Sequence, residues 1–188
     1  MAIEFELKYR ASPEILDRIR RSCSAEFAVI PMTTTYYDAP DGSLSARHWT
    51  VRHRQEGEKQ VCTLKTPAGG GARGEWEVEC GDIFQALDSL EALGGVTLPR
   101  DLRATCGARF TRQAALLAGE GFTAELALDS GSLLGGEKSE DLWEVELELK
   151  SGDREAMAAF AEGFACRYGL TPEPKSKNAR ARALAGEG

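Results

Sequence analysis

Residues 3 to 10 read IEFELKYR, and their alternation is strict. Ile3, Phe5, Leu7 and Tyr9 are apolar or aromatic, while Glu4, Glu6, Lys8 and Arg10 are charged. A period of two is that of a β-strand with one charged face. The pattern recurs in 142 to 150, LWEVELELK, where Trp143, Val145, Leu147 and Leu149 oppose Glu144, Glu146, Glu148 and Lys150. It recurs in 73 to 79, where Arg73, Glu75, Glu77 and Glu79 oppose Trp76 and Val78, and in 121 to 129, where Glu125 and Asp129 oppose Phe122, Leu126 and Leu128. A solvated face of an antiparallel sheet accounts for any one such strand. It accounts less well for all of them, because glutamates at i, i+2 and i+4 repel one another. Glu4 and Glu6, taken with Glu144, Glu146 and Glu148, form a set of carboxylates suited to a hard divalent cation such as Mg²⁺ or Mn²⁺.

Cations complete the pattern. Lys8, Arg52, Arg54, Lys65, Arg73, Arg112 and Lys177 come from separate strands and the C-terminal region. If they share a side with the carboxylates, the sheet encloses a cavity holding both signs. Arg grips phosphate oxygens in pairs and Lys supplies point charge, so such a cavity suits a phosphate chain.

The remaining elements follow from periodicity and caps. Helices are expected over 13 to 23 (Ser12 as N-cap, Pro13 at N1), 83 to 93 (Asp82 and Gln85 as a capping box, Gly94 as terminator), 153 to 168 and 176 to 184. Strands are expected over 2–10, 33–38, 46–56, 59–66, 73–80, 107–118, 121–129 and 142–150. The pairs 46–56/59–66 and 107–118/121–129 read as hairpins. The fold class is therefore α+β, built on a closed or strongly curved antiparallel sheet with helices covering the apolar outer face. The chain reads as a single domain over 1–182, with 66 to 74 (TPAGGGARG) a flexible loop and 183–188 a frayed tail.

A net charge of −7 argues against general nucleic-acid or anionic-membrane binding. No apolar run reaches the ~20 residues of a membrane helix, and the first residues lack a signal-peptide pattern. The five cysteines are scattered, which fits reduced thiols in a cytoplasmic protein.

In order along the chain, these residues resemble the CYTH-domain family, the triphosphate tunnel metalloenzymes. Glu4, Glu6 and Lys8 match its ExExK signature. Tyr36, Tyr37 and Asp38 resemble its YYD segment, and Val51 to Arg54 its hydrophobic-Arg-x-Arg strand. Thr63 with Lys65, Arg73 with Glu75, Arg112, and Glu125 with Asp129 follow in the family's order. Glu144, Glu146 and Glu148 resemble the ExExE strand of inorganic triphosphatase members, and Ser176, Lys177 and Arg180 the closing SK-x-AR motif. The resemblance implies an eight-stranded antiparallel β-barrel forming a closed tunnel, and hydrolysis of inorganic triphosphate with Mg²⁺ or Mn²⁺. It implies Glu4, Glu6, Glu146 and Glu148 as metal ligands, with Glu144 and Glu77 as further candidates. It implies Lys8, Arg52, Arg54, Lys65, Arg73, Arg112 and Lys177 as phosphate-binding groups, and Lys8, Glu4 and Glu146 as the catalytic set. A homodimer is an expectation by analogy alone.

Alternatives within the fold are a thiamine triphosphatase or an adenylate cyclase. Outside it stands a non-catalytic binder of polyphosphate or nucleotide. His48 and His53 sit in no nucleophile–base pattern. Strand parity assigns Trp76 and Cys62 to the outer core, and the glycines at 69 to 71 lack the strand and helix context of a phosphate-binding loop.

Overall fold

In the computed structural model, residues 2–69 and 72–186 are described. Ten strands and five helices alternate along the chain: β1 (Ala2–Glu4), β2 (Glu6–Arg10), α1 (Pro13–Ser22), β3 (Ala28–Asp38), α2 (Ser43–Ala46), β4 (Thr50–Glu56), β5 (Lys59–Gly69), β6 (Ala72–Glu79), α3 (Ile83–Gly94), β7 (Arg103–Gly119), β8 (Phe122–Gly135), β9 (Lys138–Gly152), α4 (Arg154–Tyr168), β10 (Thr171–Pro172) and α5 (Lys177–Ala185). All pairings are antiparallel, in the order β1-β6-β5-β4-β3-β7-β8-β9-β2-β10. The sheet curls as a half-barrel. Its two end regions share the N-terminal stretch: Glu4 pairs with Arg73 of β6, and Glu6 with Glu148 of β9. The single strand expected over 2–10 is thus two, broken at Phe5, whose carbonyl still accepts from Leu149 N at 2.9 Å. Counting that stretch once and setting aside the two-residue β10 leaves eight long strands.

Alternation sorts the two faces. Outside, Tyr9, Leu126, Leu128, Val145 and Leu147 pack under α1 and α4, with Leu16 and Ile19 of α1 buried against them. Val51, Cys62 and Leu64 pack under α3, with Trp76 beside them as its parity requires. Two caps are those expected, Ser12 Oγ accepting from Ile15 N at 3.3 Å and Asp82 Oδ1 from Phe84 N at 2.7 Å; Ser176 Oγ adds a third, accepting from Ala179 N at 3.1 Å.

Four expectations are corrected. Helix α3 ends one residue later, because Gly94 is still helical and Gly95 adopts the left-handed conformation (φ 62°) that terminates it. Residues 43–46 form α2, and β4 begins only at Thr50; Asp38 holds this corner, accepting from Ala39 N, Leu44 N, Ser45 N and Ser45 Oγ. The segment 66–74 is largely ladder, with Thr66 opposite Gly74, while Gly70 and Gly71 lie outside the described residues. Helix α5 continues through Ala185, past the expected frayed start at 183; residues 187 and 188 lie outside the described residues.

Helix α5 lies close on β8. A Cβ added at Gly135 would stand 2.4 Å from Ala181 O and 2.5 Å from Ala185 N. Backbone cannot yield as a side-chain end can, so Gly135→Ala is expected to push α5 outward and destabilise the fold by about 1–3 kcal/mol in urea unfolding, the usual range for overpacking.

Candidate active site

The inner face of the half-barrel lines a cavity of about 340 Å³. On its wall stand Glu4, Glu6, Lys8, Arg52, Arg54, Lys65, Arg73, Arg112, Glu146, Glu148 and Lys177, with the further candidate Glu77; Glu144, the other further candidate, is fully buried and does not line it. The strands deliver them by parity, and α5 adds Lys177 through its first turn. A wider vestibule of about 1050 Å³ adjoins the cavity, shares Glu4, Glu6, Lys8 and Arg73 with it, and is walled further by Trp49, His48, Lys175 and Arg182. Sequence reasoning had not assigned Tyr36, Thr50 or Lys150 to the site, yet all three line the cavity. Parity is the signal for Thr50 and Lys150, which share the strand faces of Arg52 and Glu148; Tyr36 joins the wall through its register opposite Arg52.

The ions inside are not equivalent. Lys177 Nζ contacts Asp129 at 2.8 Å and Glu146 at 2.6 Å, and also bonds Glu144. Arg112 forks onto Asp129 at 2.8 and 2.7 Å and reaches Glu146; Arg180 bonds Glu144 at 3.0 Å. Asp129, Glu144 and Glu146 place oxygens within 4.8 Å of one another, a spacing that suits a metal ion. Here, however, Lys177, Arg112 and Arg180 match them charge for charge. Burial opposes ionisation of Glu146, but Lys177 and Arg112 hold its pKa well below the usual carboxylate range. Burial, and then Glu146, push Glu144 up to about 7 against the pull of Lys177. Burial would depress Lys177, yet Asp129, Glu146 and Glu144 raise it. This trio is a compensated ion network that ties α5 to β8 and β9.

The other end of the carboxylate set is differently poised. Lys65 Nζ lies 2.6 Å from both oxygens of Glu4. Among the described residues, the ion-pair partner of Glu6 is Lys8, at 3.5 Å. Burial, then Glu146 and Glu4, raise the pKa of Glu6. Burial raises Glu148 too, with Lys150 at 2.8 Å opposing and Glu4 and Glu125 adding to the rise. Glu4 and Glu146 are thus closely paired, whereas Glu6 and Glu148 are the carboxylates that added positive charge would stabilise, and a divalent cation held by oxygen ligands fits beside them.

Among the cations, three are loosely held. Arg73 Nη2 bonds only neutral oxygens, His48 O and Thr50 Oγ1, each at 3.2 Å. Arg54 Nε bonds Thr34 Oγ1 at 2.8 Å, with Glu56 no nearer than 3.7 Å. Lys8 is the third. Burial and then Arg52 lower the pKa of Arg54. A polyanion would be stabilised by these groups, at no loss of a close carboxylate pair. The histidines form no part of this cavity wall: His48 faces the vestibule.

The CYTH domain profile matches residues 2–181. An inorganic triphosphatase of Haemophilus influenzae is 29% identical over 178 residues, which cover 86% of this chain and 49% of that protein. The chain thus spans about half the length of this curated relative. A Hippeastrum protein, studied as an adenylyl cyclase and described as having a dominant triphosphatase activity, superposes with a TM-score of 0.69 at 20% identity, covering 97% of this chain and 96% of that one. The PH1819 protein of Pyrococcus horikoshii superposes at 0.62 with 20% identity, covering 94% and 97%. At these identities the two structures speak to the fold alone.

Removing Lys177 leaves buried carboxylates without their counter-ion. Lys177→Met is expected to lower the unfolding free energy by about 3–5 kcal/mol, the usual cost of breaking a buried ion pair. A loss below about 1 kcal/mol in chemical denaturation would contradict the compensated network.

Proposed function

The chain belongs to the CYTH domain family, and from that premise we propose that it hydrolyses inorganic triphosphate to pyrophosphate and phosphate with Mg²⁺ or Mn²⁺. The observation that carries this reading is the placement of four acidic side chains, Glu4, Glu6, Glu146 and Glu148, on one cavity wall with the loosely held Lys8, Arg54 and Arg73. The dimensions suit a short phosphate chain.

Glu4, Glu6, Glu146 and Glu148 would hold the metal, which supplies charge compensation on the phosphate oxygens. The protein's own part is positioning and electrostatics. Lys8, Arg54 and Arg73 grip oxygens of the chain, and Arg52 and Lys65 add positive charge beside them. Arg112 and Lys177 face the same cavity but act mainly through Glu146, holding it ionised. The dominant contribution is a set of preorganised charges aimed where negative charge spreads as the terminal phosphoryl group departs. Glu4 or Glu146 accepts a hydrogen bond from the attacking water and aligns it with the phosphate. We place the activity in a single domain over 1–182, in the cytoplasm, where free cysteines stay reduced. No helix among the described residues is long and apolar enough to cross a membrane.

A second reading is favoured by the vestibule. Its about 1050 Å³, with Trp49 on its wall, has room for an organic group attached to the triphosphate, as in ATP or thiamine triphosphate. Phosphate release from tripolyphosphate, pyrophosphate, ATP and thiamine triphosphate, each with Mg²⁺, Mn²⁺ or EDTA, separates the two. Turnover confined to tripolyphosphate and abolished by EDTA is expected. Faster turnover of ATP or thiamine triphosphate would favour the second reading, and binding without turnover would make the chain a polyphosphate-binding module. Lys8→Ala is expected to lower kcat/KM for tripolyphosphate by about 10²–10³, the range seen when one preorganised electrostatic donor is lost; an unchanged value would remove Lys8 from the catalytic set.

A further inference from the structure

Two adjacent tyrosines of β3 face opposite ways. Tyr37 turns outward, its ring edge-on to Phe84 of α3 with centroids 6.2 Å apart. Tyr36 turns inward, is 3% exposed, and lines the cavity. The register of β3 against β7 shifts here because β7 carries an extra residue, Thr105, while β3 keeps the period of two that turns the two rings to opposite faces. In register, Tyr36 stands opposite Arg52 of β4.

The Tyr36 hydroxyl makes no hydrogen bond to the protein among the described residues; the residue's carbonyl alone accepts a side-chain bond, from Thr105 Oγ1 at 3.3 Å. Beside it, Arg52 Nε is buried and likewise without a partner. An unsatisfied donor sealed in protein, such as Arg52 Nε, is costly, whereas the Tyr36 side chain borders the cavity, where a ligand oxygen can meet its hydroxyl. Here two donors on neighbouring strands are left over in a wall where Lys65, Arg112 and Lys177 are bound to carboxylates. The phenol is neutral, so it reaches an anionic oxygen without first releasing an acidic partner.

We propose that Tyr36 is a further substrate-binding residue, its hydroxyl donating to a phosphate oxygen beside Arg52; this rests on the triphosphatase reading of the cavity. Its role is to add a neutral donor to a site otherwise built from charges.

The test compares wild type, Tyr36→Phe and Tyr37→Phe. Tripolyphosphate binding is measured by calorimetry in EDTA, steady-state hydrolysis with Mg²⁺, and the tyrosine ultraviolet difference spectrum on adding tripolyphosphate. A hydrogen bond to a charged group predicts that Tyr36→Phe weakens tripolyphosphate binding about tenfold to a hundredfold and lowers kcat/KM by a similar factor. Its Tm should stay near wild type and the tyrosine difference signal should vanish. Tyr37→Phe should retain both affinity and signal. Affinity within twofold of wild type in a folded Tyr36→Phe, or a difference signal that survives in it, overturns the proposal. Should Tyr36→Phe fail to fold, a tripolyphosphate-induced tyrosine signal that persists in Tyr37→Phe supports the assignment, and no signal in wild type overturns it. Failure of the wild type to bind tripolyphosphate at all overturns the triphosphatase reading along with it.

Discussion

Charge compensation inside the curled sheet is the constraint on which the rest depends. Carboxylates and cations withdrawn from water are tolerated only when each has a partner or a ligand. Lys177 illustrates the first solution, touching Asp129, Glu144 and Glu146 at once. Through it the position of α5 becomes part of the electrostatics of the cavity: a helix covering one end of the sheet also supplies the counter-ion for its deepest acids. Arg182 extends the arrangement, bonding Asp38 at 2.9 Å where that residue caps α2. Residues remote from the cavity wall therefore help to seat the helix that completes it.

The same constraint divides the wall by function. Groups compensated internally, such as Arg112 on Asp129, hold shape. Groups left loosely matched, such as Arg73 on two neutral oxygens and Glu6 on a distant lysine, are where an external ion finds favourable interactions. A cavity that was fully paired throughout would be stable and inert. In the proposed reading, the raised carboxyls of Glu6 and Glu148 and the loosely held cations provide separate places for a metal and for an anion.

Much of this was legible in the chain itself, for a physical reason. The side-chain period of a strand is two, so the charged residues of each strand had to share a face, and the order of the motifs put those faces together. The N-caps Ser12 and Asp82 are local and were equally readable. What escaped depends on contacts distant in sequence. Nothing around Lys177 announces that Asp129 will take its ammonium, and nothing around Phe5 announces the break that lets its neighbours pair with β6 on one side and β9 on the other. Helix α2 was missed because four short residues carry little periodicity; the fixing interaction comes from Asp38, several positions earlier. The place of Tyr36 opposite Arg52 is likewise visible only once β3 and β4 are set in register.

That N-terminal break has a consequence for how the chain is made. Residues 2–10 leave the ribosome long before residues 144–148, with which most of β2 pairs. β1 can meet β6 once residues 73–75 have emerged, but until β9 follows, the backbone donors and acceptors of β2 are without the partners they have in the finished sheet. Open edges of this kind pair readily with other chains, and contacts between residues far apart in sequence form slowly. The hazard of self-association thus belongs to the nascent chain rather than to the folded protein, and the stretch that opens the sequence is among the last to be secured.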